Sequence, residues 1–238
     1  MVTGYKMDHA LLMSRAKTIR ELNPNYWWDA DYGVTLSGAE VTSWVDRVAG
    51  LELTQTGANR NPTWAKYGLS QRSCLIFDGG DCLFLDACPM AAWTAHTILV
   101  QYQMLGHDAT AIQNFLTSSQ KGDSVDSCFK IGMSSLKVQM TLSRNDLPAV
   151  VGRGDTDILT TALPHVGVFT QNGAGNKWVH YLDGVEETID PGTDAGVSFS
   201  GTTGLNAFSV GAWAAAQDEA AEPLYGKIGQ IVMWNKVL

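Results

Sequence analysis

The amino-acid sequence predicts an all-β protein preceded by a short helical arm. Three observations carry that expectation. From Tyr26 onward, apolar and polar residues alternate in short runs bounded by Gly, Asn, Pro or Asp, the pattern of half-buried strands joined by turns. Glycine occupies 24 of the 238 positions, and hydrophobic residues reach 45% against 17% charged. That balance supports a sizeable core and many tight turns rather than a helical bundle. No long helical periodicity interrupts the strand-like segments.

The helical arm comes first in the chain. Asp8 is placed to cap residues 8–22, Met7 and Leu12 are spaced for a hydrophobic staple, and Asn23-Pro24 is a strong stop. Met7, Leu11, Thr18, Ile19 and Leu22 form a partial apolar stripe that Arg15 interrupts. Residues 1–22 carry a net +2, which leaves −10 on residues 23–238 against a total of −8. A basic amphipathic arm on an acidic body has two expected uses. It anchors the chain to a partner through Met7, Leu11, Arg15, Ile19 and Leu22, or it packs on its own domain.

The stretch "NPNYWWDADYGVTLSG", residues 23–38, reads as the first strand. Successive side chains of a strand point to opposite faces, so Trp27 and Trp28 cannot form one stacking platform. Tyr26 shares a side with Trp28, and Trp27 with Asp29. One tryptophan is expected in the core and the other on the outer face beneath the arm. The stretch therefore reads as scaffold rather than binding site.

Further strands are expected at "AHTILVQYQM", at two segments flanking Ser134-Ser135, and at "HVGVFT", "KWVHYLDGVEETI", "LNAFSVGAW" and "GKIGQIVMWN". Asp183-Gly184 suits a two-residue type I′ turn, whose central positions need positive φ. That register sets Leu182 opposite Val185, His180 opposite Glu187 and Trp178 opposite Ile189. Trp178, Leu182, Val185 and Ile189 are then expected to face the core, with His180 and Glu187 as a structural cross-strand pair.

Composition also bears on partners. The acidic body argues against binding a phosphate backbone, so no nucleic acid is expected. No run approaches the roughly 20 apolar residues of a membrane span, so no membrane partner is expected. The N-terminal residues lack the apolar core and small-residue cleavage site of a signal peptide, which predicts a product made in the cytoplasm. Cys74, Cys82, Cys88 and Cys128 show no zinc-ligand spacing. Cys74 and Cys82 flank Asp78 symmetrically in "CLIFDGGDC", which leaves a hairpin-borne bridge or buried free thiols as the alternatives.

The order of elements from Leu22 to Leu238 resembles the concanavalin A-like, laminin-G-like jelly rolls, in the small version of bacteriophage and bacterial surface proteins. The resemblance rests on "LNPNYWWDADYGVTLSGAEVTSWVDRVAG", "NPTWAKYGLSQRSCLIFDGGDCLFL", "HTILVQYQM", "HVGVFTQNGAGNKWVHYLDGVEE" and "FSVGAW" with "LYGKIGQIVMWNKVL", in that order. It implies a two-sheet antiparallel jelly-roll sandwich over residues 23–238, with first and last strands adjacent. Closing the termini on each other hides edge strands, so the physical reading agrees.

Some relatives with this sandwich are glycoside hydrolases, which need two carboxylates across the sugar. None of the seven glutamates lies in a Glu-x-Asp-x-x-Glu run, and the adjacent Glu186 and Glu187 point to opposite faces. No GxSxG elbow is present. "QNGAGNK" reads as a hairpin loop, and Arg153-Gly154-Asp155 as a chance tripeptide in a glycine-rich loop. No enzymatic activity is expected. Many laminin-G-like domains bind calcium through loop aspartates, and Asp78 with Asp81 is the preferred candidate pair. Otherwise no cofactor is expected.

The resemblance, the missing signal peptide and the absent catalytic set together predict a virion structural protein of a tailed phage. It would be a capsid decoration, head-fibre or tail-fibre component that meets other virion proteins through its arm. A homo-oligomer, a trimer for instance, is expected by resemblance only. The alternative is a carbohydrate- or receptor-binding module, with Trp64, Trp93 and Trp213 beside loops as the sugar-stacking candidates for a host surface glycan.

Overall fold

The structure is a computed structural model that describes residues 19–55, 60–106, 112–119, 128–134, 136–144, 147–157, 163–172, 177–188, 190–191, 205–213 and 221–238. Among them run strands β1 (Tyr26–Asp29), β2 (Val34–Ser37), β3 (Glu40–Val45), β4 (Glu52–Thr54), β5 (Thr63–Leu69), β6 (Arg72–Asp78), β7 (Leu83–Leu85), β8 (His96–Met104) and β9 (Ile112–Ser119). They continue with β10 (Cys128–Ser134), β11 (Lys137–Arg144), β12 (Leu147–Asp157), β13 (His165–Asn172), β14 (Lys177–Leu182), β15 (Val185–Glu187), β16 (Asp190–Pro191), β17 (Ala207–Val210) and β18 (Tyr225–Trp234). The all-β class holds, and every pairing between these strands is antiparallel.

The pairings lay out two layers. One follows β5–β6–β18–β8–β13–β14–β15, with β1 alongside the far end of β18. The other follows β3–β4–β7–β17–β9–β10–β11–β12–β16. Glu40 of β3 pairs with Thr63 of β5, so hydrogen bonding turns one corner and joins the layers. The first and last strands are neighbours, as expected, with Tyr26 opposite Met233 and Asp29 opposite Gln230.

Aromatic contacts between the layers mark the core. Tyr102 of β8 meets Phe115 of β9 at 4.3 Å between ring centres, and Trp28 of β1 stacks on Phe208 of β17 at 5.7 Å. His96 of β8 meets the edge of Phe129 of β10 at 5.6 Å. The aromatic pairs add to the area they bury.

Alternation in β1 sends its two tryptophans apart as expected. Trp28 is fully buried between the layers, whereas Trp27 lies on the outer side with Ile19, Val232 and Trp234. Residues 19–21 are helical. Ile19 is buried on this outer patch, and the Lys236 ammonium donates to the Leu22 carbonyl at 3.0 Å. Residues 19–22 therefore contact the sandwich. The Leu22 side chain is exposed rather than part of that contact, while Met7, Leu11 and Arg15 lie outside the described residues.

The β14–β15 hairpin has the expected register, His180 opposite Glu187 and Leu182 opposite Val185, about a turn with φ of 52° at Asp183 and 88° at Gly184. One expectation fails there. Leu182 is buried, but Val185 is 69% exposed. Its strand is the outermost of its layer, and the core ends before it. Ile189 lies outside the described residues, and Trp178 is half-buried against the core.

Arg153-Gly154-Asp155 also differs from expectation, since it sits within strand β12 rather than in a loop. Gly154 is buried, and a Cβ there would stand 2.7 Å from Glu187 Oε2 and 3.3 Å from His180 Nδ1. The glycine lets β12 approach these two side chains closely, and a larger residue would push the Glu187 carboxylate aside. The four cysteines are free thiols, and burial pushes Cys74 and Cys82 up to about 11, the inert state of buried cysteine.

Candidate functional site

Alternation along β10 and β11 separates two chemistries. Phe129, Ile131 and Met133, with Val138, Met140 and Leu142, enter the core. Lys130, Gln139 and Thr141 fall on the opposite, outer face. Register then aligns Ser209, Thr117, Lys130 and Thr141 in one polar row across β17, β9, β10 and β11. The Thr117 and Ser209 hydroxyls hydrogen-bond at 2.7 Å. In the adjoining row Arg153 Nε donates to Gln139 Oε1 at 3.0 Å, and Gln139 Nε2 donates to Thr141 Oγ1 at 2.7 Å.

The segment after β17 brings an aromatic ring over this face. Trp213 is held by a two-way backbone bridge to Ala221, each hydrogen bond 2.8 Å long. Its ring lies 4.1 Å from the Lys130 ammonium, a cation–π distance. Lys130 Nζ also donates to Glu222 Oε2 at 2.8 Å, and Asn114 Nδ2 donates to the same oxygen at 2.9 Å. Glu222 adopts a φ of 52°, an uncommon backbone state for a residue with a side chain, and its carbonyl accepts from Asn114 N at 3.1 Å.

Two polar atoms in this cluster are shielded from solvent and have no hydrogen-bond partner among the described residues, the donor Trp213 Nε1 and the acceptor Asn114 Oδ1. Such atoms are costly unless a ligand or water engages them. The cluster thus offers an aromatic ring, a tethered cation, and one unspent donor and acceptor.

The three tryptophans selected from the sequence do not share one surface. Trp64 is half-buried against the core, and its Nε1 donates to the Ala30 carbonyl at 2.9 Å. Trp93 is 6% exposed and stacks on Tyr26 at 5.9 Å, so it belongs to the core. Trp213 alone of the three joins the polar outer face. Lys130, Glu222 and Asn114 were not selected from sequence. The one visible signal was the lone lysine inside "CFKIGMS".

Asp78 and Asp81 form a self-contained turn. Asp81 Oδ2 accepts from Asp78 N at 2.9 Å, and Asp78 Oδ1 accepts from Gly80 N at 3.2 Å. Burial raises the Asp81 carboxyl to about 6. Among the described residues, no group of three or more His, Cys, Asp or Glu is placed to hold a metal ion.

No protein-family model matches the sequence, and no characterised protein matches it by sequence. Solved structures do match the fold. Domain 4 of AbnA, an extracellular arabinanase of Geobacillus stearothermophilus in complex with arabinotriose, superposes with a TM-score of 0.63 at 10% identity, covering 90% of this chain and 93% of that one. The CBM40 carbohydrate-binding module of a Ruminococcus gnavus sialidase, bound to α2,3-sialyllactose, gives a TM-score of 0.57 at 17% identity over 69% of this chain and 91% of that one. The K499G mutant of the NanB sialidase of Streptococcus pneumoniae gives 0.53 at 14% identity, over 69% of this chain and only 26% of its own. The chain shares a β-sandwich fold with these structures.

Proposed function

We propose that this chain is a non-catalytic carbohydrate-binding module whose sugar lies against Trp213 on the outer face of β9, β10 and β11. The observation that carries the reading is the unspent pair beside that ring, Trp213 Nε1 and Asn114 Oδ1. A sugar hydroxyl both donates and accepts, so sugar hydroxyls offer the two partners that these atoms lack. The row of Ser209, Thr117 and Thr141 hydroxyls continues the polar surface along which a longer glycan would lie. Among the described residues the site has one carboxylate, Glu222, already bonded to Lys130 and Asn114, and glycoside hydrolysis uses a flanking pair.

The fold likenesses favour this reading over the virion role expected from the family resemblance. None of the three structures described above is a virion protein, and two hold a bound oligosaccharide. Calorimetric titration with arabinotriose and sialyllactose, after a glycan array, tests the proposal. Trp213→Ala is expected to weaken the best glycan by about tenfold or more, the worth of a stacked aromatic with a satisfied donor. A chain that binds no glycan, or one whose binding survives Trp213→Ala unchanged, overturns it.

A further inference from the structure

A second cluster lies on the opposite layer, where the outward side of β1 meets the end of the arm. A cleft of about 360 Å3 is lined by Arg20, Asn23, Pro24, Trp27, Tyr32 and Arg47, with Val48 at its rim. That size falls at the small end of ligand clefts, about 300–1,000 Å3.

The Arg47 guanidinium lies 4.5 Å from the Trp27 ring and 4.9 Å from the Tyr32 ring. With aromatic rings against the guanidinium, the planar edge is what remains for a ligand. Nη1 on that edge donates to Asp29 Oδ2 at 2.7 Å.

Donors outnumber free acceptors around the cleft. Asp29 is 1% exposed and is shared between Arg47 and Arg72. Asp46 accepts from the amides of Trp27, Val48, Ala49 and Gly50. Both nearby carboxylates are therefore spent within the fold. Arg20 is exposed and makes no ion pair among the described residues. Trp27 is 2% exposed, yet its indole N–H has no acceptor. A ring, an apolar rim, two cations and a buried orphan donor ask for a small ligand with an anionic acceptor and a carbon-rich face.

We infer that this cleft binds a carboxylate-bearing sugar, its carboxylate on Arg20 and the Arg47 edge, and its ring against Tyr32. The inference rests on the carbohydrate-binding reading for its ligand class but uses a separate site. A sugar acid supplies two in-plane oxygens to a guanidinium fork. It also supplies a C–H face to Tyr32, which is 49% exposed, and an oxygen for the Trp27 N–H.

The test follows the Trp27 indole N–H resonance of the full chain by NMR, identified by its loss in Trp27→Phe, during titration with D-glucuronate, D-glucose and acetate. Glucuronate is expected to shift that resonance, while glucose and acetate do so far more weakly. Arg20→Gln, at an exposed position with no ion pair among the described residues, is expected to weaken glucuronate about tenfold, the worth of one charge-assisted hydrogen bond. Trp213→Ala should leave the glucuronate response unchanged, which separates failure here from failure of the Trp213 site. No shift with glucuronate, an equal shift with glucose or acetate, or an unchanged affinity in Arg20→Gln overturns the inference.

Discussion

The two layers of this sandwich each carry an aromatic ring, a cation and a carboxylate on their outer faces, and the two groupings are built differently. On β1, Trp27 and Tyr32 hold Arg47, whose Asp29 partner is almost wholly buried and is shared with Arg72. On β10, Trp213 alone covers Lys130, whose Glu222 partner keeps 26% of its side chain in solvent. The difference lies in how firmly each charge is tied into the fold. A buried carboxylate with two guanidinium partners is part of the scaffold, because removing it leaves cations stranded. A partly exposed carboxylate held by one lysine and one amide is tied in less deeply than a buried one shared by two guanidiniums.

Removing each carboxylate is the largest test of that contrast. Asp29→Ala is expected to destabilise the protein by about 3–4 kcal/mol, the scale for breaking a buried pair. Glu222→Ala should cost about 1–2 kcal/mol, between the scales for an exposed and a buried pair, because it leaves Lys130 and Asn114 without that oxygen. Urea denaturation followed by tryptophan fluorescence measures both. Equal losses would erase the distinction between scaffold and site.

Acid tests the space between the two faces, where charge is not tolerated. Burial lowers His96 from 6.5 to about 3 and His180 from 6.5 to about 4. His180 lies flat on Phe169 at 4.6 Å, opposite Glu187. Both histidines are neutral in the folded chain below the pH at which the unfolded chain protonates them. Their stabilising effect is whole above pH 6.5 and is lost as pH falls toward 4, at about 1.4 kcal/mol per unit for each. Asp81 works in the opposite direction. Its carboxyl is raised by burial from 3.8 to about 6, so it costs stability above pH 6 and that cost disappears as pH falls to 3.8. One histidine is thereby offset over part of the range. The expected net loss between pH 7 and pH 4 is about 4 kcal/mol. His180→Phe should make the dependence of the urea midpoint on pH visibly shallower, and an unchanged slope would remove His180 from the account.

Much of the fold was readable because its signals are local. Asp183-Gly184 set the register of its hairpin through backbone preferences alone, and the neighbouring Trp27 and Trp28 had to face opposite ways. Val185 was misread because a two-residue period says which side a residue takes, not whether the other layer extends over it. The Arg153-Gly154-Asp155 tripeptide was misread because glycine and aspartate are turn formers by composition. Here the glycine allows a close approach to Glu187 and His180, residues on two other strands. Lys130 was unreadable as a site residue for a similar reason. Its partner Glu222 is 92 residues away in sequence, and no local pattern joins them.

The smallest expected effect sharpens the comparison most, since it exchanges the two cations. Arg47→Lys keeps the charge beside Asp29 but replaces a flat guanidinium with a compact ammonium, which cannot lie flat against Trp27 and Tyr32. It is expected to cost about 1 kcal/mol. Lys130→Arg keeps a donor near Glu222 and offers a flat group to Trp213, so its effect on stability should stay within about 0.5 kcal/mol. The exchange should separate the sites again in binding. Arg47→Lys would weaken glucuronate while sparing neutral glycans at Trp213, because a point charge cannot give two parallel hydrogen bonds to one carboxylate. Matching losses of stability in the two variants would mean that the ring beside Lys130 holds the fold together just as the rings around Arg47 do, and the β10 face would then be scaffold too.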